Sequence, residues 1–273
     1  MATDTYKRVK QCPICGKRSC SVSNDGAIAI CWRVIDGAFK IGANGQGIHH
    51  LNSDVKLKAS AVAPKPPVDY EYWSRYIREG RMAYSASDFK LGEKLGLSEE
   101  SLGRIGVGLL SAKTLTGSMK TSCAGRFSWS FPMYNEFGRP IGIRLRSESG
   151  FKYAADGSRN GLTIPAGTVK PGGHMHVVEG PTDTAAALDL GMDAIGRPMN
   201  VGLTDMIAAC VMRYGPMRLT IITDRDAPDS KAHQATSRGA NELRDVMPKS
   251  VDVLITYPPG TAKDLREYLI NRR

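Results

Sequence analysis

The chain has 273 residues, room for one large domain or two to three small ones, and its 41% apolar content is ordinary for a folded protein. Lysine and arginine total 37 against 27 acidic residues, a formal charge of +10 that favours an anionic partner, most simply nucleic acid. No apolar run approaches a membrane span and the N-terminus lacks the apolar core of a signal peptide, so the expected compartment is cytoplasmic, where clustered cysteines hold metals more often than disulfides.

Four of the six cysteines come first: Cys12, Cys15, Cys20 and Cys31, spaced Cys-x2-Cys-x4-Cys-x10-Cys. Cys12-Pro13-Ile14-Cys15-Gly16-Lys17 has the form of a zinc knuckle, in which the tight turn aims two thiolates at one point. The second half is irregular, because Trp32, Arg33 and Val34 follow Cys31 where a second Cys-x-x-Cys is expected. Asn24-Asp25-Gly26 signals a hairpin that sets Cys20 and Cys31 on neighbouring strands, so Cys20 is the expected replacement and structural Zn²⁺ the expected occupant. His49 and His50 are alternative ligands, and a redox Cys-x-x-Cys is the competing reading, without a thioredoxin-like unit around it. Cys123 and Cys210 are expected to be buried and inert.

Residues 1–52 therefore read as a zinc ribbon and 53–69 as a flexible linker, whose Ala63-Pro64-Lys65-Pro66-Pro67 run is stiff and cannot pack. A basic α+β subdomain is expected over 70–170. It begins with an amphipathic helix from Tyr70 to Glu79 carrying the stripe Tyr72, Trp73 and Tyr76. Two short helices follow, Ser85 to Leu95 and Ser98 to Ile105, the second capped by Ser98 with Glu99 and Glu100 in its first turn. Then come two strands, Arg126 to Asn135 and Gly138 to Arg146, joined by a turn at Asn135 to Gly138. In the second strand Ile141, Ile143 and Leu145 alternate with Gly142, Arg144 and Arg146, so one face is buried and two arginines share the other, with Lys152 adding a cation nearby.

From 171 to 273 the pattern becomes a βα rhythm, which predicts a parallel sheet with flanking helices. Val177 and Val178 read as the end of a buried strand that Gly180 and Pro181 break, with Thr182 capping a helix from about Asp183 to Leu190. Ile221-Ile222-Thr223 is a second β-branched run ending at Asp224 and Asp226. Sites form at the carboxyl ends of such strands, so Glu179, Asp183, Asp224 and Asp226 are expected to share one crevice. Like charges so close call for a cation between them, and Mg²⁺ or Mn²⁺ suits an all-carboxylate set. Arg225 is expected to point away on its strand-like segment. A helix over Ser237 to Met247, a strand over Ser250 to Thr256 and a final amphipathic helix over Asp264 to Ile270 complete the layer, with Leu265, Tyr268 and Leu269 on the last helix's apolar face.

Strand-Glu-Gly-x-x-Asp-helix followed by strand-Asp-x-Asp resembles the Toprim domain of bacterial primases, topoisomerases and some nucleases. Phe131-Pro132-Met133-Tyr134-Asn135, then Gly138-Arg139-Pro140-Ile141-Gly142-Ile143-Arg144-Leu145-Arg146, is similar to the catalytic core of bacterial and phage DnaG-type primases, and with the zinc ribbon the likeness covers nearly the whole chain. The resemblance implies that Arg144, Arg146 and Lys152 grip template and nucleotide phosphates. It also implies that Tyr257-Pro258-Pro259-Gly260-Thr261-Ala262-Lys263-Asp264 closes the Toprim fold and brings Asp264 to the metal neighbourhood.

The implied activity is DNA primase, template-directed nucleotidyl transfer that makes short RNA primers. Glu179, Asp224, Asp226 and Asp264 are its expected Mg²⁺ or Mn²⁺ ligands, with Asp183 a second-tier catalytic residue. Its expected partners are single-stranded DNA, nucleoside triphosphates and a separate replicative helicase. Lys7, Arg8, Lys10, Lys17 and Arg18 on the ribbon are expected to help hold template. The compact architecture suits a phage, plasmid or other mobile element. A RecR-like DNA-binding module without catalysis, or a Toprim nuclease, are the alternatives. A type IA topoisomerase needs a much larger arch, and the chain has no Gly-x4-Gly-Lys-Ser/Thr loop for an attached ATPase.

Overall fold

Two separate cores organise the chain, one around four cysteines within Met1–Pro67 and one of apolar side chains within Val68–Arg273. The computed structural model describes residues 6–18, 20–41, 46–51, 67–111, 127–167, 172–199, 202–228 and 230–273. Most of the linker expected over 53–69, residues 53–66, lies outside these, as does Cys123.

The first unit is an antiparallel sheet of β1 (Tyr6–Arg8), β2 (Ser21–Ser23), β3 (Ile28–Cys31), β4 (Lys40–Ile41) and β5 (Gly47–His50), in the order β1-β2-β3-β5-β4. Asn24-Asp25-Gly26 turns β2 into β3 as expected. Gly26 has a φ of 77°, a conformation that costs glycine nothing, and the Asp25 carboxylate accepts the Ala27 N–H at 3.0 Å. Ser21 then pairs with Ile30, which brings the ends of the two strands together.

The second unit opens with α1 (Tyr70–Ser85), whose first turn is capped by Asp69 accepting the Tyr72 N–H at 2.9 Å. The aromatic stripe packs rather than stacks on solvent: Trp73 and Tyr76 are buried against Leu110, Ile143 and Leu145. The helix expected from Ser85 is only α2 (Leu91–Leu95), because α1 runs on to Ser85 and the Tyr84 hydroxyl claims the Leu91 N–H. Ser98 caps α3 (Glu99–Arg104) through the Ser101 N–H. An antiparallel sheet follows, ordered β6 (Gly108–Ser111), β7 (Phe127–Tyr134), β8 (Pro140–Ser147) and β9 (Lys152–Ala154). Ile141, Ile143 and Leu145 are buried on one face of β8, as the alternation requires.

The parallel sheet is ordered β11-β10-β12-β13, from β10 (His174–Glu179), β11 (Ala194–Arg197), β12 (Arg218–Ile222) and β13 (Asp252–Thr256). It is flanked by α4 (Gly180–Asp189), α5 (Thr204–Tyr214), α6 (Lys231–Val246) and α7 (Leu265–Asn271). The α4 start departs from expectation. Thr182 lies inside the helix and Glu179 holds the cap position, because Gly180 (φ 75°) turns the chain immediately after the strand and Pro181 suits the first helical turn. Thr182 has cap chemistry, but the turn is already made before it. Ser230, not Ser237, starts α6, accepting the His233 N–H at 3.0 Å.

The two sheets of this unit share one apolar cluster. Phe127, Trp129 and Phe131 of β7 join Val178, the alanines Ala185, Ala186 and Ala187 of α4, and Leu265 and Leu269 of α7. A second cluster fills the other side of the parallel sheet, with Met175, Val177, Leu219 and Ile221 against Ile207, Val211 and Leu243. Among the described residues no helix is long and apolar enough to cross a membrane.

Candidate active site

Strand ends place the acids. Glu179 closes β10, and α4, which starts at once, carries Asp183 in its first turn. Asp224 follows β12 by two residues, and Asp264 caps α7 by accepting the Glu267 N–H at 2.7 Å. All four line one cleft of about 300 Å³ at the carboxyl ends of the parallel strands. Arg144, Arg146 and Lys152 from β8 and β9 line the same cleft, so every expected site residue of this unit except Asp226 lines it. Asp226 lies beside it, near enough that its charge acts on Asp224.

The acids are poised for a cation. Burial, with the charges of Asp264 and Asp224, pushes the Asp183 carboxyl up to about 8. Burial, then Glu179, Asp264 and Asp226, pushes Asp224 up to about 7. Asp183 is 7% exposed and accepts one backbone N–H, from Arg266 at 3.1 Å. A divalent ion in their midst reverses this logic by making the ionised form the favoured one. The carboxylate oxygens do not close into a tight chelate. Among the described residues the only set of three or more potential ligands within 4.8 Å of one another is the four cysteines. That openness suits Mg²⁺, which keeps several of its waters and binds through few carboxylates.

The basic wall carries the opposite demand. Burial disfavours the charge on Arg144 and on Arg146, where Arg266 adds repulsion, and burial followed by Arg146 lowers the Lys152 ammonium. The Arg146 Nε is buried without a hydrogen-bond partner. Half-buried cations with donors to spare are completed by anions such as phosphate.

Three cleft cations escaped the sequence reading. Arg197, at the end of β11, donates to Glu179 at 2.6 Å and is 2% exposed. Lys263 and Arg266 flank Asp264 and reach the same cleft. The latter two stand beside the Asp264 motif and were open to discovery there. Arg197 sits on a four-residue strand with no alternation, which gave no such signal. Arg225 does turn away: its guanidinium donates to Pro258 O at 2.7 Å and Ala262 O at 3.3 Å, lacing the segment before Asp264 to the Asp224 loop.

In the first unit the four cysteine sulfurs converge, with Cys15 and Cys20 3.8 Å apart and Cys20 and Cys31 3.9 Å apart. Gly16, at φ 68°, lets the knuckle turn back, and its N–H donates to Cys12 O at 2.8 Å. Burial pushes the thiols of Cys12, Cys20 and Cys31 up. At Cys15 burial is outweighed by the Lys17 N–H and the neighbouring thiols, leaving it at about 7. Four sulfurs with this spacing and reach fit a tetrahedral ion. The histidines are engaged elsewhere, His49 with Val34 O at 2.9 Å and His50 stacked on Phe39. Cys210 is buried, its thiol pushed up to about 12 by that burial.

Solved structures share this architecture. The E. coli primase catalytic core is similar over 74% of this chain and 75% of its own, with a TM-score of 0.53 at 16% identity. A DnaG primase catalytic domain bound to single-stranded DNA is similar over 75% and 76%, with a TM-score of 0.53 and 16% identity. The fold is that of a DnaG-type primase core. The zinc-binding and RNA polymerase domains of the Aquifex aeolicus primase are similar over 99% of this chain and 77% of that one, with a TM-score of 0.53 at 15% identity. No protein-family model matches the sequence, and no curated protein matches it.

Proposed function

We propose that this protein is a DNA primase, a nucleotidyltransferase that makes short RNA primers on single-stranded DNA. The observation that carries the reading is the cleft itself: four acids, two of them pushed toward neutrality, share one lining with six cations, within a primase-core fold. Chain extension joins a 3′-hydroxyl to an α-phosphate and releases pyrophosphate. That reaction requires a place for divalent charge beside a place for phosphate charge.

Glu179, Asp224, Asp226 and Asp264 are the residues that would hold Mg²⁺ or Mn²⁺, directly or through water, and the ions would lower the hydroxyl's pKa and neutralise the developing charge. Arg144, Arg146 and Lys152, with Lys263 and Arg266 beside them, receive the phosphates of nucleotide and template. Asp183 is held by the Arg266 N–H at the helix start, where it supports the acids and adds to their negative field. In the first unit the four cysteines hold structural Zn²⁺, and Lys7, Arg8, Lys10, Lys17 and Arg18 offer charge to single-stranded template. The ribbon, residues 1–52, and the core from 70 onward act as separate modules within one cytoplasmic replication protein that works with a replicative helicase. The DNA-bound relative supports the choice of template.

The test is synthesis on single-stranded DNA with labelled nucleotides and Mg²⁺ or Mn²⁺, comparing wild type with Asp224→Ala, Asp226→Ala. Short template-dependent products that the double variant cannot make are expected. DNA binding without synthesis on varied templates would favour a RecR-like binding module, and template shortening a nuclease.

A further inference from the structure

Arg197 is the cleft cation already committed to an acid. Its backbone lies in register beside Glu179, its guanidinium donates to Glu179 Oε1 at 2.6 Å, and the two side chains are 2% and 16% exposed. The strand that presents it is pressed onto the start of α4. A Cβ on Gly196 would meet the Thr184 hydroxyl and lie 2.8 Å from Gly180 O, the carbonyl that this hydroxyl already caps. The next residue ties to β8, for Pro198 O accepts from Arg144 Nη1 at 2.8 Å. Arg197 and Pro198 thus link Glu179 to Arg144, and the place of Glu179 is set through them.

The geometry points to Arg197 as a positioning residue that fixes Glu179 and restrains divalent-ion binding until nucleotide is present. The inference rests on the metal reading above. An arginine donating to one oxygen of Glu179 leaves that oxygen less available to a metal, and it sets a full positive charge next to a residue that must receive two more. A nucleoside triphosphate carries the negative charge that offsets this repulsion, and Arg146, Lys152 and Arg266 stand where it can be received. Metal and nucleotide therefore load together. A cleft with four acids and no such brake would take up divalent ions in the absence of substrate.

The measurement is Mn²⁺ binding to the full, zinc-loaded chain, read from the paramagnetic resonance of free Mn²⁺, with and without a non-hydrolysable nucleoside triphosphate. Wild type is expected to bind at least tenfold more tightly with nucleotide. Arg197→Gln is expected to bind Mn²⁺ alone at least tenfold more tightly than wild type and to lose most of the nucleotide dependence. Synthesis should still fall at saturating Mn²⁺, because Glu179 is no longer held. Arg197→Lys, which keeps the charge, should stay within threefold of wild type in Mn²⁺ affinity. If Arg197→Gln does not fold, Arg197→Met keeps the aliphatic stem without the charge and carries the same expectation. A merely structural arginine predicts weaker binding on removal, so unchanged or weaker Mn²⁺ binding in a folded variant overturns the inference. If that binding is still abolished by Asp224→Ala, the metal site stands and only the role of Arg197 falls. No carboxylate-dependent Mn²⁺ binding in any variant, with or without nucleotide, overturns the metal reading itself.

Discussion

Replacing Asp183 by Asn should remove a fall of stability with rising pH from the divalent-free protein. The Asp183 carboxyl titrates at about 8 in the folded chain, against an ordinary value of 3.8. A raised acid is stabilising where it is protonated. Its contribution is therefore fully present below about pH 4 and is lost as pH rises through about 8. Between pH 5.5 and 8 the unfolded chain has released this proton and the folded chain still holds it, so stability falls by roughly 1.4 kcal/mol per pH unit, about 3 kcal/mol in all. The Asp224 charge is one of the causes that raise Asp183, so the two sites interact and no separate contribution is added for Asp224. For a unit of about 200 residues this is a fall in Tm of roughly 6–12 °C. The assay is scanning calorimetry of the zinc-loaded chain from pH 5.5 to 8.5, wild type beside Asp183→Asn. The wild-type Tm should drop relative to the variant as pH rises, and Mg²⁺ supplied with a non-hydrolysable nucleoside triphosphate should restore it by an amount that grows with pH, because the ion needs ionised acids. Parallel profiles for the two proteins, or a Mg²⁺ shift independent of pH, would refute the reasoning.

Four other outcomes are expected. Cys20→Ser should lose the single bound zinc that a colorimetric release assay counts per chain, whereas His49→Ala should keep it, since that ring bonds to Val34 O. Asp189→Ala should cost about 3 kcal/mol by denaturant titration without abolishing synthesis, because its buried carboxylate accepts from Ser98 N–H and the Ser98 and Ser101 hydroxyls and pins α3 to α4. Gly196→Ala should lower the Tm by an amount matching roughly 1–3 kcal/mol, as the added methyl meets the Thr184 hydroxyl. Arg146→Ala should weaken single-stranded DNA or nucleotide binding and reduce the salt slope of log K by about 1, which fluorescence anisotropy at several salt concentrations measures.

The parts of this fold that were legible are those where local chemistry and final packing agree. Asn24-Asp25-Gly26 could hardly do anything but turn, and the alternation on β8 meets a real boundary between core and cleft. Glu179 and Asp224 were findable because apolar β-branched runs end beside them, and strand ends are where a parallel sheet exposes its site. The start of α4 was misplaced because cap preference is a local rule, while Gly180 and Pro181 had already turned the chain. The extent of α1 was missed because its buried face runs on through Gly80, a residue that reads as a helix breaker, to Tyr84, while the apolar Met82 beside it is exposed. Arg197 was invisible for another reason: its meaning comes from a parallel neighbour 18 residues earlier, and no short-range pattern encodes that partner.

Taken together, the charges explain why the cleft should resist being empty. Asp183 and Asp224 are pushed up by burial and by neighbouring acids, and Arg146 and Lys152 are pushed down by burial and by neighbouring cations. Mutual neutralisation across the cleft would relieve both, yet the pair that forms, Arg197 with Glu179, spends one cation of six on one acid of four. Arg144, Arg146 and Lys152 sit on β8 and β9, whereas Asp183 and Asp224 sit on α4 and the loop after β12; Lys263 and Arg266 stand beside Asp264, where their charges offset part of the rise at Asp224 and Asp183. A fold that holds opposite charges short of contact retains the free energy that a dication and a polyanion can release together. Either ligand alone satisfies one sign of charge and leaves the other unmet, so the two should bind with positive coupling, measurable equally from the metal side or the nucleotide side.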